Sequence, residues 1–369
     1  MGNAFSCVLP LEMQARRRAV ASKALRIPRS KSRKQALADE EILQQQALAM
    51  ALLQQQLRFE RSASVRNSKI STTPKQNFPR SASVRARQAS DPVLDPHQLL
   101  HNKEGLQNLT TKHFVLIHGG GFGAWCWYKI IALLEDTGFT TSAIDLAGSG
   151  IDSSDPNCIR DLNTYCKPLT SYLQNIPDSD KVILVAHDVG GVCISHAMEL
   201  FPLKIAKSVF VSAMMIRTGQ SAFDVFAQEL AGPDCLLRKA QIFNYGNKDS
   251  QSPTSVEYDK AHLNDLLFNQ SPSKDVALAT VSMRPVPFSP LMEKISISAE
   301  NYGIVPRYYV MTGEDRAFTI AMQEKLAELN PPNQVFRLKG ADHAPFFSKP
   351  QALSKVLAEI AQIDTSAVN

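Results

Sequence analysis

From Lys112 onward, short apolar runs alternate with stretches whose apolar residues recur every three or four positions. The runs His113–Ile117, Thr141–Asp145, Val182–Ala186, Ser208–Ser212, Arg307–Thr312 and Gln334–Leu338 predict strands. Trp125–Thr137, Leu162–Asn175, Val189–Phe201, Thr319–Leu329 and Pro350–Ile363 predict the helices between them. Such alternation implies a mostly parallel sheet with helices on both faces, since each parallel crossover needs a covering element. The pattern fails from about Met215 to Gly303, where Pro, Ser and Phe accompany short helical stretches. Residues 215–303 are therefore expected to form a cap, inserted after the sixth strand, that closes over the site and selects the ligand. Residues 112–214 and 304–369 would form the α/β core.

The first 100 residues follow neither period. They are rich in Arg, Ser and Gln and poor in aromatics, too little apolar surface to offset chain entropy, so a disordered arm is expected there. Within it, Gln35–Arg61 has helical propensity and a partial apolar stripe, consistent with a fraying or partner-docked helix. The hexapeptide Arg61-Ser62-Ala63-Ser64-Val65-Arg66 recurs as Arg80-Ser81-Ala82-Ser83-Val84-Arg85, with Arg placed for a basic-directed kinase.

Charge divides the chain the same way. Residues 1–90 hold 17 Lys and Arg against 5 Asp and Glu, about +12, and the remainder is about −7. The overall +5 thus describes a basic arm on a mildly acidic body, and nucleic acid is not an expected partner. Cys7, Cys126, Cys158, Cys166, Cys193 and Cys235 lack C-x-x-C pairing and zinc spacing; they read as reduced, mostly buried thiols, with neither metal nor organic cofactor implied. No apolar run approaches a membrane-spanning helix. Two targeting readings compete for the arm. Its Arg- and Ser-rich composition suits a plastid or mitochondrial transit peptide, although Asp39-Glu40-Glu41 does not. Met1-Gly2-Asn3-Ala4-Phe5-Ser6 fits N-myristoylation, and Cys7 with Arg16-Arg17-Arg18 would strengthen membrane contact.

Candidate chemistry lies at strand ends. Val182-Ile183-Leu184-Val185-Ala186-His187-Asp188-Val189-Gly190-Gly191 is an apolar strand entering a small-residue turn that opens a helix. That is the nucleophile elbow of an α/β-hydrolase, usually G-x-S-x-G, with Ala186 for the first Gly and Asp188 for the Ser. Asp315 follows a later strand and His343 follows the last, so nucleophile, acid and histidine come in the α/β-hydrolase order. His118-Gly119-Gly120-Gly121 follows the first strand; the amides of Gly120 and Val189 would form an oxyanion hole. A phosphate loop is disfavoured there, because neither G-K-[ST] nor G-x-G-x-x-G is present.

Taken in order, these motifs resemble the plant methylesterase family, relatives of the hydroxynitrile lyases. The resemblance rests on His113–Gly119, Gly123–Tyr128, Ile144–Gly150, Lys181–Gly191, Met283-Arg284-Pro285 and Gly340-Ala341-Asp342-His343, and covers about residues 112–363. It implies hydrolysis of methyl esters of small hormone-like acids, such as methyl indole-acetate, methyl jasmonate and methyl salicylate. It also favours plastid import, since long-armed members are generally assigned there. Lyase chemistry is disfavoured by Gly119 and Ala344, which stand where the lyases carry Thr and Lys. Asp188 departs from the family's Ser and puts ordinary acyl-enzyme catalysis in question. His187-Asp188-x-Gly190-Gly191 is also similar to epoxide hydrolases and haloalkane dehalogenases, where Asp attacks an alkyl carbon. Three readings stay open: an ester hydrolase, an Asp-nucleophile hydrolase that would use cap tyrosines among Tyr245, Tyr258 and Tyr302, and a ligand-binding pseudo-hydrolase. The expected partner is a small ester or carboxylate ligand, with a homodimer left open.

Overall fold

The computed structural model describes residues 109–230, 235–246 and 252–364. The disordered arm expected over residues 1–100, the helix expected over Gln35–Arg61, the repeated Arg-Ser hexapeptide and the targeting segments lie outside these residues, as does Cys7. The first half of the core runs β1 (His113–Ile117), α1 (Tyr128–Asp136), β2 (Thr140–Ile144), α2 (Leu162–Asn175), β3 (Val182–Asp188), α3 (Gly190–Leu200) and β4 (Ile205–Ala213). The interval that follows holds α4 (Ala222–Leu230), α5 (Leu236–Ala240), β5 (Gln241–Asn244), β6 (Ser255–Tyr258), α6 (Leu263–Leu266), α7 (Ser273–Ser282), β7 (Val286–Pro287) and α8 (Phe288–Met292). The chain ends through β8 (Arg307–Thr312), α9 (Ile320–Leu329), β9 (Gln334–Leu338), α10 (Pro345–Ser348) and α11 (Pro350–Gln362).

Six strands form one sheet in the order β2-β1-β3-β4-β8-β9, every pair parallel. This is an α/β-hydrolase fold. Every residue of β3 is buried, as expected of a central parallel strand covered on both faces, and this is why its sequence is a continuous apolar run. Asp161 starts α2 by accepting from the Thr164 amide at 2.7 Å, and Thr319 likewise caps α9.

Chain direction puts the site where it is. After β1 the chain turns to one side to lay down β2, then returns to the other side for β3. The loops after β1 and β3 therefore face one another across a topological switch point, at the carboxyl end of the strands. Between 215 and 303 the structure differs from the short helices expected. It contains a second sheet, β5-β6-β7, antiparallel throughout. Its strands are four residues or fewer, too short for period-2 alternation to register. This interval follows the fourth strand of the chain, not the sixth.

Candidate active site

The elbow is built by close packing. β3 ends at Asp188, which adopts a left-handed backbone with φ of +49°, a conformation that Asp tolerates better than most residues. α3 then starts so close to the sheet that a Cβ on Gly190 would stand 2.5 Å from the His118 carbonyl oxygen, and one on Gly191 2.5 Å from that of Met214. Only glycines fit, and the turn is correspondingly sharp. Ser212, at φ +43°, is the other described non-glycine residue with positive φ, and it too lies at this site. Left-handed backbone at two ordinary residues stores roughly 1–3 kcal/mol each, which the packing around them must hold.

Asp188, Asp315 and His343 come together as buried groups. His343 Nδ1 lies 2.9 Å from Asp315 Oδ2. The same oxygen accepts from Ser212 Oγ at 2.5 Å and Thr312 Oγ1 at 3.0 Å, while Oδ1 accepts from the amides of Ala317 and Phe318 at 2.9 and 2.8 Å. Five donors thus aim Asp315 at the imidazole. Burial alone would suppress the His343 charge, but Asp315 and then Asp188 outweigh it, and its pKa is pushed up to about 9. Asp188 moves the other way from an ordinary exposed carboxylate. Burial raises its pKa, opposed by His343 and by the amides of Gly120 and Val189.

Gly120 N donates to Asp188 Oδ2 at 3.0 Å. With the Val189 amide also bonded to this carboxylate, the two groups expected to receive an oxyanion already hold a side-chain oxygen. Gly119 gives Asp188 the room it needs: a Cβ there would lie 2.6 Å from His187 Nδ1 and 2.7 Å from Asp188 Cβ.

Sequence reading missed the supporting histidines. His118 Nδ1 bonds the Gly119 carbonyl at 2.8 Å and its Nε2 accepts from the Leu146 amide at 3.0 Å, so the ring is neutral and pins the glycine loop. Burial accordingly lowers its pKa. His187 Nε2 donates to the His343 carbonyl oxygen at 2.7 Å, and burial with the nearby His343 charge drives its pKa well down. Phe122 and Phe346 wall its ring at centroid distances of 5.4 and 5.1 Å. Their signal in the sequence was position alone: each is one step from an elbow or loop residue. Among the described residues no three His, Cys, Asp or Glu side chains converge as a metal-ligand set.

The three tyrosines separate. Tyr245 is 42% exposed. Tyr302 is buried, with its hydroxyl accepting from Asn330 Nδ2 at 3.0 Å and Arg307 over its ring. Tyr258 alone lies against the glycine loop, its ring 3.5 Å from where a Gly121 Cβ would stand.

The profile of the alpha/beta hydrolase family matches residues 114–356. The Arabidopsis thaliana protein named "Putative methylesterase 11, chloroplastic" is 58% identical over 307 residues, 83% of this chain and 78% of that protein. Methylesterase 12 of the same organism, similarly named, is 46% identical over 365 residues, 98% of this chain and 100% of its own length. Among solved structures, tomato methylketone synthase I complexed with 2-tridecanone superposes with a TM-score of 0.62 at 35% identity, covering 68% of this chain and 98% of that one. On these grounds the chain belongs to the plant methylesterase family of α/β-hydrolases.

Proposed function

We propose that this protein hydrolyses methyl esters of small, hormone-like carboxylic acids (the methyl indole-acetate, methyl jasmonate and methyl salicylate class), with Asp188 attacking the methyl carbon rather than the carbonyl carbon. The observation that carries the reading is the occupied oxyanion hole: Gly120 N bonds Asp188 Oδ2 at 3.0 Å. A substrate carbonyl would have to displace that oxygen before the amides could stabilise its oxyanion. An alkyl route needs no displacement. Asp188 Oδ1 forms a bond to the methyl carbon, the methyl–oxygen bond breaks, and its electron pair leaves with the product carboxylate. The Asp188 methyl ester that results already has its carbonyl oxygen among the Gly120 and Val189 amides.

Water then adds to the Asp188 carboxyl carbon as His343 takes its proton. Collapse of the adduct expels methanol, to which His343 returns the proton, and leaves Asp188 as the carboxylic acid; His343 then takes that proton and passes it to solvent, and the Asp188 carboxylate is restored. Charge supports this order of events. Asp188 is one of the groups raising the His343 pKa, so methylation removes a negative neighbour and makes the imidazole a readier base for the second step. Residues 215–303 serve as the cap over this chemistry, and residues 1–100 as the import arm. The plastid reading is supported by a relative named chloroplastic that spans 98% of this chain.

Turnover of the three esters in heavy-oxygen water tests the route. A single turnover is expected to place label in Asp188 and leave the product acid unlabelled. Label in the acid with an unlabelled Asp188 overturns methyl-carbon attack, and absence of turnover overturns the hydrolase. Asp188→Ser frees both amides beside an intact His343–Asp315 pair, so it should raise ester hydrolysis and move the label into the acid.

A further inference from the structure

We propose that the Tyr258 hydroxyl binds the carboxylate oxygen that departs when Asp188 takes the methyl group. This inference rests on the methyl-carbon route. The loop Gly120-Gly121 has Asp188 on one side and the interval between β4 and β8 on the other. A Cβ on Gly120 would stand 3.4 Å from both Asp188 Oδ2 and Val286 Cγ2; one on Gly121 would meet Met283 Cε at 2.8 Å and the Tyr258 ring at 3.5 Å. The Arg284 amide ties this ceiling down by donating to the Gly121 carbonyl at 3.0 Å. Tyr258, Met283 and Val286 therefore sit above the loop, and Tyr258 is the polar one.

Its hydroxyl has no hydrogen-bond partner among the described residues, and the side chain is only half-buried. Burial, followed by the charges of Asp188 and Asp315, lifts its pKa far above the ordinary phenol range. It is thus a neutral donor within the field of the attacking carboxylate.

The chemistry also leaves a vacancy that a phenol fills. Methyl transfer throws a full negative charge onto a carboxylate oxygen, which needs a donor in a site of low polarity. The Gly120 and Val189 amides are committed to Asp188, and His343 Nδ1 to Asp315. His343 Nε2 is the nitrogen required for the water. Met283 and Val286 offer nothing. No proton moves in this step: the O–H stays on Tyr258 and the product leaves as the anion.

The experiment compares wild type with Tyr258→Phe, using Tyr245→Phe, just after β5, as a control. Benzoate binding is measured by calorimetry, and methanol release is followed for methyl benzoates bearing 4-nitro or 4-methoxy groups. Tyr258→Phe should weaken benzoate by about 10- to 100-fold, the worth of a hydrogen bond to a charged group. It should also slow the methoxy ester, the poorer leaving group, more than the nitro ester. That ratio does not depend on the folded fraction, so misfolding cannot imitate it. Unchanged benzoate affinity, or equal slowing of both esters, overturns the proposal. Should wild type fail to turn over either ester, the hydrolase reading falls, and benzoate affinity alone still decides for or against Tyr258.

Discussion

Two histidines stand at opposite ends of the same sheet, one bonded directly to hydroxyl groups and the other linked to them through a carboxylate. His113, at the start of β1, lies 2.9 Å from Ser142 Oγ and 3.2 Å from Tyr172 OH, and that phenol donates to Ser142 at 2.9 Å. His343, beyond the other end, faces Asp315, which carries hydroxyls of its own. Burial lowers the His113 pKa, with only Asp180 opposing it, whereas His343 is pushed up to about 9. The hydroxyls therefore do not distinguish a reactive histidine from an inert one. A buried carboxylate, itself held by five donors, does. Backbone strain follows the same division, since both described positive-φ non-glycine residues lie at the Asp315 end.

The largest break in that contrast should come from Asp315→Asn, which makes the His343 end resemble the His113 end. Ester turnover is expected to fall roughly 10⁴-fold, as when the acid of a triad is neutralised with its geometry intact. The His343 titration, followed by NMR, should fall from about 9. Stability supplies a second readout. A histidine whose folded pKa is raised contributes stability that is complete below its unfolded value, near 6.5, and is lost as pH rises through about 9. Wild type should therefore lose melting temperature across that window, and Asp315→Asn should not. A mutant that keeps the wild-type slope would show that Asp315 is not the source of the raised pKa.

A smaller loss is expected from Gly119→Ala. Its new Cβ must push against His187 Nδ1 at 2.6 Å and Asp188 Cβ at 2.7 Å, neither of which ends a flexible side chain. Over-packing of this kind costs about 1–3 kcal/mol, and moving a reacting group by about 1 Å costs roughly 10²-fold in rate. Gly303→Ala is the control, as nothing approaches its Cβ closer than 3.6 Å. Chemical denaturation and methanol release should separate the two variants; equal behaviour would mean that Asp188 does not depend on the space Gly119 leaves.

How much of this was legible beforehand follows from the range of each interaction. All six strands of the main sheet were placed; the central β1, β3 and β4 are buried along nearly their whole length and write that burial into consecutive residues, whereas the edge strands β2 and β9 are largely part-buried or exposed. β4 runs longer than expected, Ile205–Ala213 rather than Ser208–Ser212, since Lys207 breaks the apolar run. Lys207 is buried there because its Nζ bonds the carbonyls of Ile360, Ala361 and Ile363, partners about 150 residues away. The elbow was visible because Gly190 and Gly191 are adjacent to Asp188 in the sequence, although the packing that requires them comes from His118 and Met214. That the Gly120 amide would bond Asp188 was not, because the two are 68 residues apart. Ser212 was invisible as an Asp315 donor for the same reason, being 103 residues away, whereas Thr312 is only three residues from Asp315.

The smallest effect belongs to the quiet end of the sheet. Tyr172→Phe removes the phenol that bonds both His113 Nε2 and Ser142 Oγ, yet leaves those two groups 2.9 Å apart and still paired. Neither is stranded, so the loss should be that of a net hydrogen bond, about 1 kcal/mol, rather than that of an unsatisfied buried group. Urea denaturation should show a lower midpoint with an unchanged slope. Ester turnover should stay at the wild-type rate, because no charge links this cluster to Asp188 or His343. A Tyr172→Phe enzyme with impaired turnover would mean that the two ends of the sheet communicate, and the contrast between their histidines would then no longer rest on Asp315 alone.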